Sequence, residues 1–185
     1  MTVREQVQAY RSVVPVMRKS DKLDLIKWLR RRPQLLAGTF AYETALLTSG
    51  SMDPRLKALA ELKAAALVNC EFCLDIGSTI SRAAGVSDAQ IAALPRFRDS
   101  EAFDADEKLV LELAEAITST PALVSEDLRH RLIDRFTAPA VTELAASIAW
   151  ENNRGRLNQA LGVRPAGFSQ GAQCAVPEQP EPTRG

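Results

Sequence analysis

The chain has 185 residues, 46% of them apolar and 25% charged, with 23 basic and 23 acidic side chains and a formal net charge of zero. That length supports one domain with its own hydrophobic core and no disulfide staples. The balance of charge argues against nucleic acid as a partner, and no apolar run approaches the ~20 residues a bilayer requires. The charge is uneven all the same: residues 1–33 hold nine Lys/Arg against three Asp/Glu, which reads as a solvated helix face or a surface for an acidic partner.

In chain order, the first segment, residues 1–19, is basic, with Val7, Tyr10 and Val14 at helical spacing and Pro15 as a break. The start lacks the apolar core and cleavage site of a secretory signal. After Ser20-Asp21, Leu23, Ile26 and Leu29 recur every three residues. Asp53-Pro54 is a strong helix start, a capping carboxylate followed by a proline preset for the first turn. Leu56, Leu59, Ala60, Leu62, Ala66 and Leu67 then form a broad apolar face, and the alanines invite close neighbours. A further helix is expected from Asn69 as cap to a left-handed stop near Gly85. Ser87 with Gln90, and Asp104 with Glu107, are capping boxes. Ser125 and Thr137 cap two more helices, the last running to Leu161-Gly162, and Pro121 helps to stop the helix before them. No hairpin signal occurs. Residues 20–163 therefore read as one all-α domain, and residues 164–185, with four prolines, as a peripheral or disordered tail.

The chemistry-bearing stretch is Asn69-Cys70-Glu71-Phe72-Cys73-Leu74-Asp75-Ile76-Gly77. With three cysteines in the chain, a secreted disulfide framework is disfavoured and cytoplasm is the expected compartment. Two cysteines three apart at a helix start share one face, and the exposed N–H groups there favour a thiolate. One could attack and the other resolve. A zinc site needs about two further ligands, and Cys174 in the tail with the lone His130 makes a poor second half. No metal or cofactor is therefore expected. Two half-buried core cysteines remain the plain alternative. His130, flanked by Arg129 and Arg131, reads as solvated. Asp75 beside a thiolate would disfavour it, so a solvent-facing or inter-helix role is expected. The polar run Trp150 to Asn158 could line a pocket or a subunit contact, or be an ordinary helix surface.

Residues 62–77, continuing to Ala83-Ala84-Gly85-Val86-Ser87, resemble the core of the carboxymuconolactone decarboxylase family, to which alkylhydroperoxidase D belongs. The likeness extends through Glu112-Leu113-Ala114 and Glu143-Leu144 to Asn158-Gln159-Ala160-Leu161-Gly162. The resemblance implies an all-α, alkylhydroperoxidase D-like domain that assembles as a trimer or hexamer. It also implies a thiol-dependent oxidoreductase, with Cys73 attacking a hydroperoxide or disulfide, Cys70 resolving it, and an external dithiol as reductant. Two positions depart from the family pattern. Gly77 stands where peroxidase members carry a histidine, and Ala58 where they carry a glutamate. Glu61, one turn from Ala58 and on roughly the same face, is the candidate replacement, with an exposed helix glutamate as the plain reading. Two alternatives stay open: a catalytically diverged ligand-binding or scaffold oligomer of the same fold, and a decarboxylase-type lyase.

Overall fold

The computed structural model describes residue 7 and residues 24–178. Apart from Val7, which is helical, the basic segment 1–19 and the Ser20-Asp21 start lie outside the described residues. Within them the chain is all helix: α1 (Asp24–Leu29), α2 (Pro33–Thr48), α3 (Pro54–Leu67), α4 (Glu71–Ala83), α5 (Asp88–Ala93), a 3-10 turn (Leu94–Arg96), α6 (Ala105–Thr118), α7 (Glu126–Arg135) and α8 (Ala138–Ala160). No helix among them is long and apolar enough to cross a membrane.

Side chains at the helix starts account for most of these boundaries. Asp53 accepts from the Arg55 N–H with Pro54 behind it. Ser87 and Asp104 form full capping boxes with Gln90 and Glu107. Ser125 and Thr137 accept from the third residue of their helices. Each cap satisfies N–H groups that have no partner inside the helix.

Helix α3 is the central element. Leu59, Leu62, Ala65 and Ala66 join one core cluster with Phe72, Ile91, Phe97 and Leu111. Leu56, Ala60 and Ala64 join a second with Val110, Leu113, Leu144 and Ile148. The alanines leave room for α4, α6 and α8 to close around it, since small side chains permit short interaxial distances.

A helix buried on all sides must also bury its lysines. Lys63 is fully enclosed and meets Glu115 at 3.0 Å and Glu178 at 2.6 Å. Lys57 is held by Glu143 and by the carbonyls of Leu46 and Ser49, both at 3.3 Å. Buried ammonium groups are tolerated only when paired in this way.

Two features differ from the sequence reading. Helix α2, to which no element was assigned, is 16 residues long and buries none of them; Leu35 and Phe40 stand exposed. Apolar residues are spread around its whole circumference, so periodicity gives no face to detect. The segment beyond Arg164, expected to be peripheral, packs on the core as far as residue 178. Phe168 stacks edge-on against Phe72, and Ala175 is buried in the same cluster.

Candidate active site at the cysteine turn

The turn between α3 and α4 sets the position of both sulfurs. Asn69 adopts a left-handed backbone, φ 54°, a conformation that asparagine tolerates better than most residues. It is therefore not the helix cap that the sequence suggested. The cap is Cys70, whose Sγ accepts the Cys73 N–H at 3.2 Å. Helix α4 starts one residue later than expected, with Cys70 just outside it and Cys73 in its first turn. Their Cα atoms are 5.2 Å apart and the sulfurs are joined as a disulfide. Both side chains are buried.

Helix α8 approaches this turn at Gly155. A Cβ there would sit 2.5 Å from Val68 Cγ2 and 3.4 Å from Cys70 Cβ, so only glycine permits the contact. One turn on, Asn158 is brought against the sulfurs, its Nδ2 3.4 Å from Cys73 Sγ and 3.8 Å from Cys70 Sγ.

A cavity of about 430 Å³ opens beside Cys73. Cys73 lines it and Cys70 does not. Its walls are mostly apolar: Phe72, Ile76 and Ile80 from α4, Leu62 and Ala65 from α3, Phe40 and Leu47 from α2. Gly77 also lines it; a Cβ at that position would lie 3.3 Å from Leu62 Cδ1. The histidine expected of peroxidase family members thus has no counterpart at this point of the wall.

The polar part of the wall is a charge cluster centred on Arg154. Its guanidinium meets Glu43 at 3.1 Å, Glu61 at 3.4 Å and Glu151 at 2.6 Å. Trp150 donates to Glu43 at 2.8 Å and stacks on Tyr42, which ties α8 to α2. Three carboxyls share one cation in a buried place. Burial raises Glu151 to about 7, partly offset by Arg154 and reinforced by Glu61 and Glu43. Burial likewise raises Glu61 above the ordinary carboxylate range, against the pull of Arg154 and Lys57. Carboxyls in such a setting can carry a proton near neutrality.

Behind the cysteine helix, Asp75 is neither solvent-facing nor an inter-helix partner. Its carboxylate accepts four backbone N–H groups, from Ala166, Gly167, Phe168 and Ser169, at 2.7 to 3.0 Å, and the Ser169 hydroxyl at 2.8 Å. Burial alone would raise its pKa, but the hydrogen bonds from Ser169, Phe168 and Gly167 outweigh it and hold the group below its ordinary value. Ser78, one turn on, donates toward Cys174 Sγ at 3.7 Å and accepts the Ala175 N–H at 3.0 Å.

The candidates taken from sequence thus divide. Cys73 and Glu61 line the same cavity, with Cys70 immediately behind Cys73. His130 is exposed on α7 beside Glu126. Sequence reasoning does not single out Glu151, Arg154 or Asn158 individually, although all three fall in the polar run Trp150 to Asn158. Their spacing of three and four residues was the available signal, because it puts all three on one face of a helix.

Comparison with known proteins fits this architecture. Residues 33–116 match the carboxymuconolactone decarboxylase family. The uncharacterized protein YnjA of Escherichia coli is 37% identical over 129 residues, which cover 69% of this chain and 68% of YnjA. The chain belongs to the carboxymuconolactone decarboxylase family. A second relative of this family member, the uncharacterized protein YdfG of Bacillus subtilis, is 26% identical over 63% of the chain and 80% of its own length. Among solved structures, the fold is shared with the debrominase Bmp8, at TM-score 0.68 and 20% identity over 74% of each chain. It is shared too with an Agrobacterium tumefaciens protein of unknown function, proposed to be an antioxidant defence protein AhpD. That match has TM-score 0.68 and 23% identity, over 75% of this chain and 94% of the other.

Proposed function

We propose that the protein is a thiol-dependent oxidoreductase that reduces an organic hydroperoxide, or exchanges with a disulfide, through Cys73 and Cys70. The observation that carries this reading is the asymmetry of the pair: Cys73 lines the cavity, and Cys70 is bonded to it from behind. A substrate in the cavity meets only one of the two sulfurs.

In the reduced protein the Cys73 thiolate is favoured by the first turn of α4 and by the Asn158 amide. It attacks the terminal oxygen of the hydroperoxide. A sulfur–oxygen bond forms, the O–O bond breaks, and the departing alkoxide takes a proton to leave as an alcohol. Glu61, whose pKa burial raises, is the group that supplies that proton, directly or through a water. It stands in for the proton relay that Ala58 and Gly77 cannot provide. Cys73 is now a sulfenic acid. Cys70 attacks its sulfur, the disulfide forms, and the hydroxyl leaves with the Cys70 proton as water. An external dithiol then returns two electrons and becomes a disulfide itself. With a disulfide substrate the same thiolate attacks sulfur instead of oxygen. A homo-oligomer working in the cytoplasm completes the reading.

The test is mass spectrometry of the reduced protein after one equivalent of cumene hydroperoxide. Rapid formation of the Cys70–Cys73 disulfide, abolished by Cys73→Ser and replaced by a trapped sulfenic acid in Cys70→Ser, is the expected result. Oxidation no faster than that of free cysteine would sink the proposal.

A further inference from the structure

The cavity is long as well as apolar. Cys73, Gly77 and Ile80 line it from α4, and Asn158, Arg154 and Glu151 line it from α8. The ends of each set are seven positions apart along the helix, roughly 10 Å of rise. Asn158 marks the sulfur end through its contact with Cys73. Glu151 lies two turns away, at the other end of the same stripe.

Glu151 is only 5% exposed, and its two oxygens differ. Oε2 is taken by Arg154 at 2.6 Å, whereas Oε1 is buried without a hydrogen-bond partner. Asn158 Oδ1, at the sulfur end, is buried and unpartnered as well. Buried polar atoms left unmatched cost about 1–3 kcal/mol each, and these two belong to residues that line one apolar cavity, which points to a ligand with a polar group at each end. The Arg154 cluster already holds three carboxyls, which disfavours an anionic ligand.

We propose, building on the thiol oxidoreductase reading, that the cavity selects an uncharged, elongated substrate. Its reacting group sits at Cys73 and Asn158, its apolar body lies along α4, and a hydroxyl at its far end bonds to Glu151 Oε1. A hydroxyl can donate to a carboxylate and can also accept from a carboxylic acid, so it suits Glu151 in either protonation state. Gly77, which adds no side chain at mid-cavity, leaves the apolar body its path.

The test uses unreactive probes, so that binding is read apart from thiol chemistry. Octanediol with a hydroxyl at each end and octanol with only one are titrated into the reduced wild-type protein and into Glu151→Leu, with affinities from ligand-observed NMR. Glu43 and Glu61 still pair Arg154 in that variant. In the wild type the diol binds at least as tightly as the more apolar octanol. In Glu151→Leu the diol-to-octanol affinity ratio falls about tenfold, the value of one hydrogen bond. An unchanged ratio overturns the proposal. Should Glu151→Leu fail to fold, a crystal structure of the wild type with the diol decides instead. A bound diol with no hydroxyl within hydrogen-bond distance of Glu151 Oε1 overturns it equally. Inert cysteines in the hydroperoxide experiment, with the diol preference intact, would strike the redox reading alone and leave this selectivity standing.

Discussion

Asn158 Nδ2 lies 3.4 Å from Cys73 Sγ and 3.8 Å from Cys70 Sγ, and the residue that carries it is 2% exposed. A buried amide N–H beside a sulfur stabilises the thiolate over the thiol and adds no charge of its own. Asn158→Leu is expected to raise the Cys73 thiol pKa, because the thiolate loses that N–H. Its alkylation at neutral pH should slow roughly three- to tenfold, read from iodoacetamide rates against pH. Asn158→Asp should slow it further, because a carboxylate beside the sulfur repels the thiolate. Equal rates in all three proteins would remove Asn158 from the site.

That contact depends on Gly155. A methyl group there would meet the stiff, β-branched Val68 side chain at 2.5 Å, so α8 has to move away from the cysteine turn. Gly155→Ala should lose about 1–3 kcal/mol in urea unfolding, despite alanine's better helix propensity. It should also weaken the effect of Asn158, so that the two substitutions together cost less than the sum of each in the alkylation assay.

Gly77 faces the cavity one turn after Cys73. Gly77→Val places a Cβ 3.3 Å from Leu62 Cδ1, and its methyls narrow the passage. On the proposed function, kcat/KM for cumene hydroperoxide should fall about tenfold or more, while that for hydrogen peroxide changes by less than about threefold. A parallel fall for both peroxides would mean that the glycine serves packing instead of access.

Much of this fold could be read in advance, for a definite reason. Asp53, Ser87, Asp104, Ser125 and Thr137 announce helix starts through local hydrogen bonds, which depend on neighbours a few residues away. The cysteine pair was legible on the same ground. Helix α2 has neither cap nor stripe: Arg32 makes no side-chain cap bond and no residue of the helix is buried. The packed tail is held by Asp75, Ser78 and Lys63, partners 91 to 115 residues distant in sequence, which no local pattern encodes. Glu61 could be singled out by spacing from the cysteines. The Arg154 cluster that surrounds it could not, because it joins α2, α3 and α8 only once they are folded.

The buried carboxyls give stability a pH dependence whose sign can be worked out. Glu151 has a folded pKa of about 7, raised by burial, against ~4.3 in an unfolded chain. Its contribution is fully present below the unfolded value and is lost as pH rises through about 7. Asp75 and Glu143 are shifted the other way, burial being outweighed by hydrogen bonds from the 167–169 loop in one case and mainly from Lys57 in the other. Their contributions exist above the ordinary carboxylate range and vanish in acid. Thermal unfolding should show a maximum Tm at roughly pH 4–5, with a decline of several degrees as the pH rises through about 7. Glu151→Gln should flatten that decline, and Asp75→Asn should flatten only the acid limb.

Lys63 binds two carboxylates, Glu115 and Glu178, with its own ammonium wholly buried. Removing one partner from a buried charge is costly, whereas replacing the charge by an apolar side chain of similar length is much less so. Glu178→Ala is expected to lose about 2 kcal/mol in chemical denaturation, softened because Glu115 remains. Lys63→Met should lose less than Glu178→Ala, and the reverse order would show that the ion pair, not the filled volume, holds the tail.

The hydrogen bonds accepted by Asp75 join residues 91 to 94 positions apart. On the ribosome, at ~5–20 residues per second, the cysteine helix waits on the order of ten seconds before the segment that covers its back has been made. Throughout that interval Phe72 lacks Phe168, and the carboxylate of Asp75 has water where it will later hold four amides. The cysteine turn is thus enclosed late, and a nascent chain that stalls within this window leaves both sulfurs without the segment that backs their helix.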